Sequence, residues 1–473
     1  MACNAVFYTK ASMSYAAAID ALNAMAPELY TRPGAPRRKF SLAEIGVLLE
    51  HLENPHRRFQ SILIAGTNGK GSTAATLASI LSVSGLRTGL YTSPHLERVN
   101  ERVRVNGAEI TDSDFGRHFF AVQDAAEGLV GTGRLAQMPS FFEVLTAIGF
   151  LHFAEAGIDV AVLEVGMGGR LDATNIVDPL ISIVTDISLD HMEWLGSTIA
   201  AITREKAGIL RPHGVLVTLP QHPEANQVLG EVATELEVRG VSGTPYLPAI
   251  GTRADASYAI EVMGQEIEVA SPLVGAHQHR NVALAIAAAV ELAQNHGFPV
   301  TPAAITGGVR ATKWPGRLER FRSGEVTWIL DVAHNPAGAW ALRAGLREDF
   351  EGEFAGKPKA LIFSCLRDKP VLELAQILFP VFDRVIFARI SSPRAAAMND
   401  LLGAAETTGT HAEAADSIEV ALEMAAGRGE GGVVVISGSV YLVGDAFRAL
   451  REGSRAREAG CRGSRPSLAG TKL

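Results

Sequence analysis

Cysteine is scarce in this sequence: three residues in 473, at positions 3, 365 and 461, with no C-x-x-C spacing. That scarcity excludes a disulfide framework, argues against a thiolate zinc site, and makes a reducing compartment, the cytosol, the expected address. Long apolar runs are missing as well. The stretch Phe141 to Phe153 is broken by Glu143 and His152 and is shorter than the roughly 20 residues that a bilayer crossing needs. Residues 1–18 hold one Lys, no Arg and no apolar segment of the kind found in a secretion signal. Nor is there a surplus of positive charge. Lys and Arg number 43 against 51 Asp and Glu, a net −8, which argues against nucleic acid as the main partner because neutralising phosphates takes excess cation. Small anionic ligands need only a local basic site and stay compatible with an acidic chain.

What the sequence does have is apolar content, 47% over a length that exceeds the usual ceiling for one core, so two domains are expected. From Ser61 onward, short Ile, Leu and Val runs ending in Gly, Asp, Thr or Ser alternate with Ala-rich helical stretches. This is the rhythm of parallel α/β layers. Buried strands are predicted at 61–65, 160–165, 181–186 and 214–219, and helices around 72–84, 142–156 and 281–295. Alternation over 254–270, interrupted at Gly264-Gln265, reads as a solvent-facing hairpin. A second strand-and-helix series follows Trp314-Pro315-Gly316. Its strands fall at 326–331, 360–363, 384–388 and 433–437, with helices after His334 and Pro370 and around 415–426 and 440–451. The division predicted is 15–312, a smaller doubly wound domain at 313–451, and an Arg-, Gly- and Ser-rich tail at 452–473 expected to be disordered. The terminal Thr-Lys-Leu loosely echoes a peroxisomal address.

Between the first strand and its helix lies Gly66-Thr67-Asn68-Gly69-Lys70-Gly71-Ser72. Glycines let backbone N–H groups turn onto phosphate oxygens, the helix start adds partial positive charge, and Lys70 adds a point charge. Ser72 can ligate a nucleotide-bound Mg²⁺. The loop is shorter than the standard P-loop, with Gly71 inserted between Lys70 and Ser72. Its plain alternative is a turn that lets a helix sit close on a sheet. Glu164 and His191 each follow a predicted strand, at the end where open α/β sheets bind ligands. A buried carboxylate there is costly without a cation, so Glu164 reads as a metal ligand. His191 taken alone reads as a cap or a surface residue. Lys206, in Arg204-Glu205-Lys206-Ala207-Gly208, reads alone as a solvated helix face before a glycine stop.

Taken in order, these motifs resemble the folylpolyglutamate synthase/dihydrofolate synthase family, a branch of the Mur ligases. The resemblance rests on Gly66 to Ser72, on Glu164-Val-Gly-Met-Gly-Gly-Arg-Leu-Asp-Ala-Thr-Asn175, on Asp190-His191 with Trp194-Leu-Gly196, and on Arg204 to Gly208. It continues through His277-Gln278 with Asn281, Trp314-Pro-Gly-Arg-Leu-Glu319 and Asp331-Val-Ala-His-Asn-Pro336. It implies an α/β fold of two domains, a P-loop-type ATPase followed by a smaller Rossmann-like domain, and an ATP-dependent amide ligase. By the same resemblance, Gly66, Thr67, Asn68, Gly69, Lys70 and Gly71 hold the phosphates of ATP, and Ser72 with Glu164 binds one Mg²⁺. His191 and a carbamylated Lys206 bind a second. Asn281, Arg317 and Asp331 contact the nucleotide, the last two from the C-terminal side when the domains close. His334 and Ser439 position the incoming L-glutamate. Ser93, Pro94 and His95, with Phe142, Asp172 and Ala173, line the site for dihydropteroate or a reduced folate; a monomer is implied.

Each late motif keeps a dull alternative: Asp331 to Pro336 as a strand end with an Asn-Pro turn, Arg317 as a surface ion pair, Phe142 as a core aromatic. Two rival functions also stay open, a Mur-type ligase for another carboxylate acceptor and a nucleotide-gated binding module.

Overall fold

A computed structural model of the chain describes residues 14–25, 41–253, 256–323, 325–427 and 432–462. Residues 1–13, 254–255 at the start of the expected hairpin, and 463–473 with the terminal Thr-Lys-Leu lie outside these. The chain divides into two units, Met1–Trp314 and Pro315–Leu473, against a predicted division at 312/313.

In the first unit, the strand β1 (Gln60–Ala65) carries branched residues almost without interruption, as a strand covered on both faces must. Leu63 and Ala65 turn into one core and Ile62 and Ile64 into another, because successive side chains leave opposite faces of a strand. Seven further strands complete its sheet: β2 (Thr88–Tyr91), β3 (Val103–Val105), β4 (Ala108–Glu109), β5 (Val160–Glu164), β6 (Ile181–Val184), β7 (Val215–Thr218) and β8 (Arg239–Ser242). Their order is β4-β3-β2-β5-β1-β6-β7-β8. All neighbours from β2 to β8 run parallel, and β3 and β4 add an antiparallel edge. The chain passes from one side of β1 to the other between β5 and β6, so the crevice at a strand-order reversal opens at the carboxyl end of β1.

One face of this sheet is covered by helices that include Leu42–His51, Asp112–Gly131 and Phe141–Ala156, the other by Lys70–Val83, Ala276–Asn295 and Pro302–Ala311. The pair β9 (Tyr258–Val262) and β10 (Gln265–Val269) forms the predicted hairpin. It does not simply face solvent, because Ile260, Val262, Ile267 and Val269 are buried in the second core. The sequence reading omitted β2, β3, β4 and β8. Val103–Val105 and Ala108–Glu109 are too short for a period to register, and Arg239–Ser242 is largely exposed.

The second unit has its own six-stranded sheet, built from β11 (Glu319–Ser323), β12 (Val326–Leu330), β13 (Lys359–Phe363), β14 (Arg384–Ala388), β15 (Ala412–Ala415) and β16 (Val433–Ser437). The order is β11-β12-β16-β13-β14-β15, parallel except for the β11–β12 hairpin. The last helix runs Val440–Arg462, so disorder from 452 is corrected. Large apolar residues are sparse there, but Arg, Ala and Glu are strong helix formers. Among the described residues no helix is long and apolar enough to cross a membrane.

The helix Phe141–Ala156 opens with a reciprocal cap. Ser140 Oγ accepts the N–H of Glu143 at 3.3 Å, and Glu143 Oε2 accepts the N–H of Ser140 at 2.8 Å. Replacing Ser140 by Ala removes one partner, and stability is expected to fall by about 1 kcal/mol. Denaturant unfolding checks this, and an unchanged midpoint would mean the cap contributes nothing.

Candidate active site

β1 hands the chain to Gly66 and then to the helix Lys70–Val83, whose cap Gly69 stands at φ 86°. That left-handed backbone suits glycine, and a Cβ at Gly69 would also collide with the Asn281 amide. The loop is fastened to the segment after β6. Thr67 and Asn68 donate their N–H groups to Asp186 O at 2.9 and 3.2 Å, Thr67 Oγ1 donates to Ser188 O, and Thr185 Oγ1 donates to Asn68 O at 2.7 Å. Asn281 lies against this turn, its amide donating to Gln278 Oε1 at 2.8 Å, and Gly71 sits under the Trp314 indole.

Two ammonium groups meet at one carbonyl. Lys70 Nζ and Lys206 Nζ both donate to Gly66 O, at 3.1 and 2.7 Å. Lys206 is buried, so its expected solvated helix face is not what the fold gives it. Burial, and then the charge on Lys70, push its amine down to about 7, with Asp190 and Asp172 pulling the other way. The lysine is therefore partly neutral and nucleophilic near neutral pH.

Glu164 ends β5 directly beside β1, in register with Ile64. It is buried, and its Oε2 accepts the N–H of Ser93 at 3.1 Å. His191 is half-buried at the start of the short helix Met192–Leu195, in a left-handed conformation (φ 49°). Its N–H donates to Asp190 Oδ1 at 2.9 Å, and its ring Nε2 lies 4.0 Å from the same carboxylate. Among the described residues no three His, Cys, Asp or Glu side chains form a group able to hold a metal ion. A cation here needs other oxygen donors besides these two residues.

Of the residues predicted for the acceptor substrate, Phe142 and Asp172 meet at Gly166. Phe142 is half-buried and packs against the first core, lies 6.1 Å from the Tyr91 ring and blocks any side chain at Gly166, as Asp172 also does. Asp172 Oδ2 accepts the N–H of Met167 at 3.0 Å; Oδ1 accepts the N–H and hydroxyl of Thr174, at 3.0 and 2.6 Å. It thereby caps the turn Ala173–Ile176, and burial pushes its carboxyl above the usual range. Ala173 is buried in that turn. The Ser93–Pro94 peptide is cis; His95, next in line, accepts a hydrogen bond at Nδ1 from Arg102 Nε at 2.9 Å. Arg102, Asp190, Thr185 and Trp314 were absent from the predicted set. Of these Asp190 carried a signal in its place beside His191, and Trp314 in the motif it opens.

In the second unit, Asp331 follows β12 with both oxygens held, Oδ2 by the N–H of Leu318 at 3.0 Å and Oδ1 by that of Ala333 at 2.9 Å. Burial raises its carboxyl and nearby Arg317 lowers it. His334 Nδ1 donates to Val332 O at 2.8 Å. Gly438 N donates to Ala333 O at 2.9 Å, so the loop bearing Ser439 is tied to the one bearing His334. All four lie at the carboxyl edge of that unit's parallel strands.

The Mur ligase middle domain matches residues 64–289, and the Mur ligase glutamate ligase domain matches 316–440. A dihydrofolate synthase/folylpolyglutamate synthase of Bacillus subtilis is 33% identical over 430 residues, covering 89% of this chain and 95% of the relative. The chain belongs to the dihydrofolate synthase/folylpolyglutamate synthase family. This ligase also resembles Escherichia coli FolC in complex with DHPP and ADP, at TM-score 0.78 and 29% identity, covering 95% of this chain and all of that one. A bifunctional folylpolyglutamate synthase/dihydrofolate synthase with Mn, AMPPNP and L-glutamate bound matches at TM-score 0.76 and 29% identity, over 94% and 99% of the two chains. The two-domain α/β architecture and the enzyme class read from the motifs stand, and the binding-module alternative does not.

Gly69→Ala in this ligase adds strain of roughly 1–2 kcal/mol and displaces Asn281. Affinity for a non-hydrolysable ATP analogue is expected to fall about tenfold by calorimetry; an unchanged Kd would remove Asn281 and the Gly69 turn from the nucleotide site.

Proposed function

We propose that this ligase joins L-glutamate to dihydropteroate and to reduced folates through an acyl phosphate. The observation that carries the reading is the convergence at the carboxyl end of β1. Three adjacent parallel strands deliver the Gly66–Ser72 turn, Glu164 and the Asp190-His191 pair there, with the Lys206 amine on the Gly66 carbonyl.

Free carboxylate is a poor electrophile, so activation comes first. The acceptor's carboxylate oxygen attacks the γ-phosphorus of ATP in line, a P–O bond forms and ADP leaves. Lys70 and the N–H groups at the start of its helix neutralise the phosphate charge. The amine of glutamate then attacks the acyl carbon, the C–O bond to phosphate breaks, and an amide and inorganic phosphate result. Asn281, Arg317 and Asp331 contact the nucleotide in this reading; His334 and Ser439 orient the glutamate.

Hard divalent cations want oxygen donors and keep phosphate and water in their shell. Ser72, buried at the helix start, and buried Glu164 fit one Mg²⁺; His191 and a carbamate on Lys206 fit a second. Such ions would neutralise charge on the transferring phosphoryl group. The carbamate supplies the anionic oxygens that a free ammonium lacks, and the depressed basicity of Lys206 favours its formation. We further propose a cytosolic monomer, consistent with the few cysteines and the family resemblance.

Phosphate release is expected to be slow with ATP alone and to rise at least 100-fold with an acceptor and glutamate together. Assays with dihydropteroate and with tetrahydrofolate separate the two acceptor activities, and release independent of any acceptor would reject the ligase chemistry. With the Lys206 amine near 7, its unprotonated share climbs from about 10% at pH 6 to about 90% at pH 8. Carbamate labelling from ¹³C-bicarbonate should climb with it and vanish in Lys206→Arg. A ¹³C carbamate signal that persists in that variant overturns the modification.

A further inference from the structure

Arg102 and His95 meet beside the acceptor-substrate cluster. Arg102 Nε donates to His95 Nδ1 at 2.9 Å. Arginine has no acceptor atom and keeps its protons in proteins. The Nδ1 atom must therefore offer its lone pair, and the single ring proton sits on Nε2.

The pair is built rather than incidental. Arg102 is buried, with its guanidinium 5.5 Å from the centre of the Phe141 ring. It closes the turn Val99–Arg102, and Glu101 in that turn takes the N–H groups of Leu96, Glu97 and Arg98 at 2.7–2.8 Å. The segment bearing His95 is thus pinned to the turn bearing Arg102. Arg102 is the charged group acting on the ring, while the Glu101 carboxylate faces these backbone amides. Burial and that guanidinium push the imidazole down to about 3, so it is neutral at physiological pH.

We propose that Arg102 is a positioning residue that fixes His95 in the Nε2–H tautomer, so that the half-buried ring presents a neutral donor to an oxygen of the acceptor substrate. This rests on the reading of Ser93 to His95 as part of the acceptor site. The opposite tautomer would turn a lone pair toward oxygen lone pairs, and a protonated ring would set a second cation against the guanidinium. The ligand class is an oxygen acceptor, carbonyl or carboxylate, on the folate-type molecule.

Histidine-selective ¹⁵N NMR on the full chain tests this, with the His95 signals assigned by their loss in His95→Gln. The expected wild-type spectrum has Nε2 protonated and Nδ1 bare, unchanged from pH 5 to pH 8. In Arg102→Gln the amide oxygen can accept, so Nδ1 takes up the proton. KM for the acceptor should then rise roughly three- to tenfold, the loss of one hydrogen bond, while KM for ATP and kcat stay within about twofold. Arg102→Lys, again donor-only, should restore tautomer and KM, which mere loss of the contact with Phe141 would not do. Circular-dichroism melts identify a variant that has not folded, in which case the wild-type and Arg102→Lys spectra decide. An Nδ1–H signal in the wild type, or no change in a folded Arg102→Gln, overturns the role of Arg102. A tautomer that moves with no change in acceptor KM overturns the substrate contact, and locates the fault in the acceptor-site reading.

Discussion

Parallel pairing of β1 with β5 on one side and β6 on the other decides where every group of the first unit's site goes. The registers Ile64↔Glu164 and Ala65↔Val184 bring β1 together with two segments that follow it by 100 residues or more in the chain. A slip of one residue would turn Glu164 to the opposite face and carry apolar partners out of both cores. That register is held by fully buried Leu63, Ile64, Val162, Leu163 and Ile183, so the placement of the chemistry is a by-product of core packing. The phosphate-type turn needs this frame, because its own N–H groups at Thr67 and Asn68 are fixed by a carbonyl from the segment after β6.

Each unit buries charge that it does not fully neutralise. Lys70 and Lys206 converge on one carbonyl, and Asp172 and Asp331 are held as carboxyls shifted upward by burial despite several N–H partners. Perturbed groups of this kind gather at functional sites, since removing water strengthens each field that remains. Arg211 works differently. Its guanidinium reaches the carbonyl oxygens of Asn175, Val177 and Ile209 and the Asn175 amide oxygen, while Asn175 Nδ2 donates to Arg170 O and Gly208 O. That lattice braces the turn after Asp172 against the end of the Lys206 helix.

The strands that sequence reading found, β1, β5, β6, β7, β12, β13, β14 and β16, are those with near-continuous branched residues, where burial on both faces writes itself into composition. Those it missed are edges or short pieces, whose stability comes from a neighbour rather than from their own residues; Ala412–Ala415 has almost no strand propensity of its own. Polar site residues were legible only as motifs. Glycine and lysine spacing betrayed the turn, but Arg102 left no local trace, since an arginine that orders a histidine is known only by what it touches.

By itself the sequence determined the α/β class, the order of the two series and the family, because periodicity and ordered motifs are properties of a line of residues. Only tertiary structure decided that Lys206 is buried against Gly66, that Asp172 spends its oxygens on its own turn, and that His95 meets an arginine. Burial and through-space charge depend on which distant segments come together, and that follows from strand order rather than from any window of the chain.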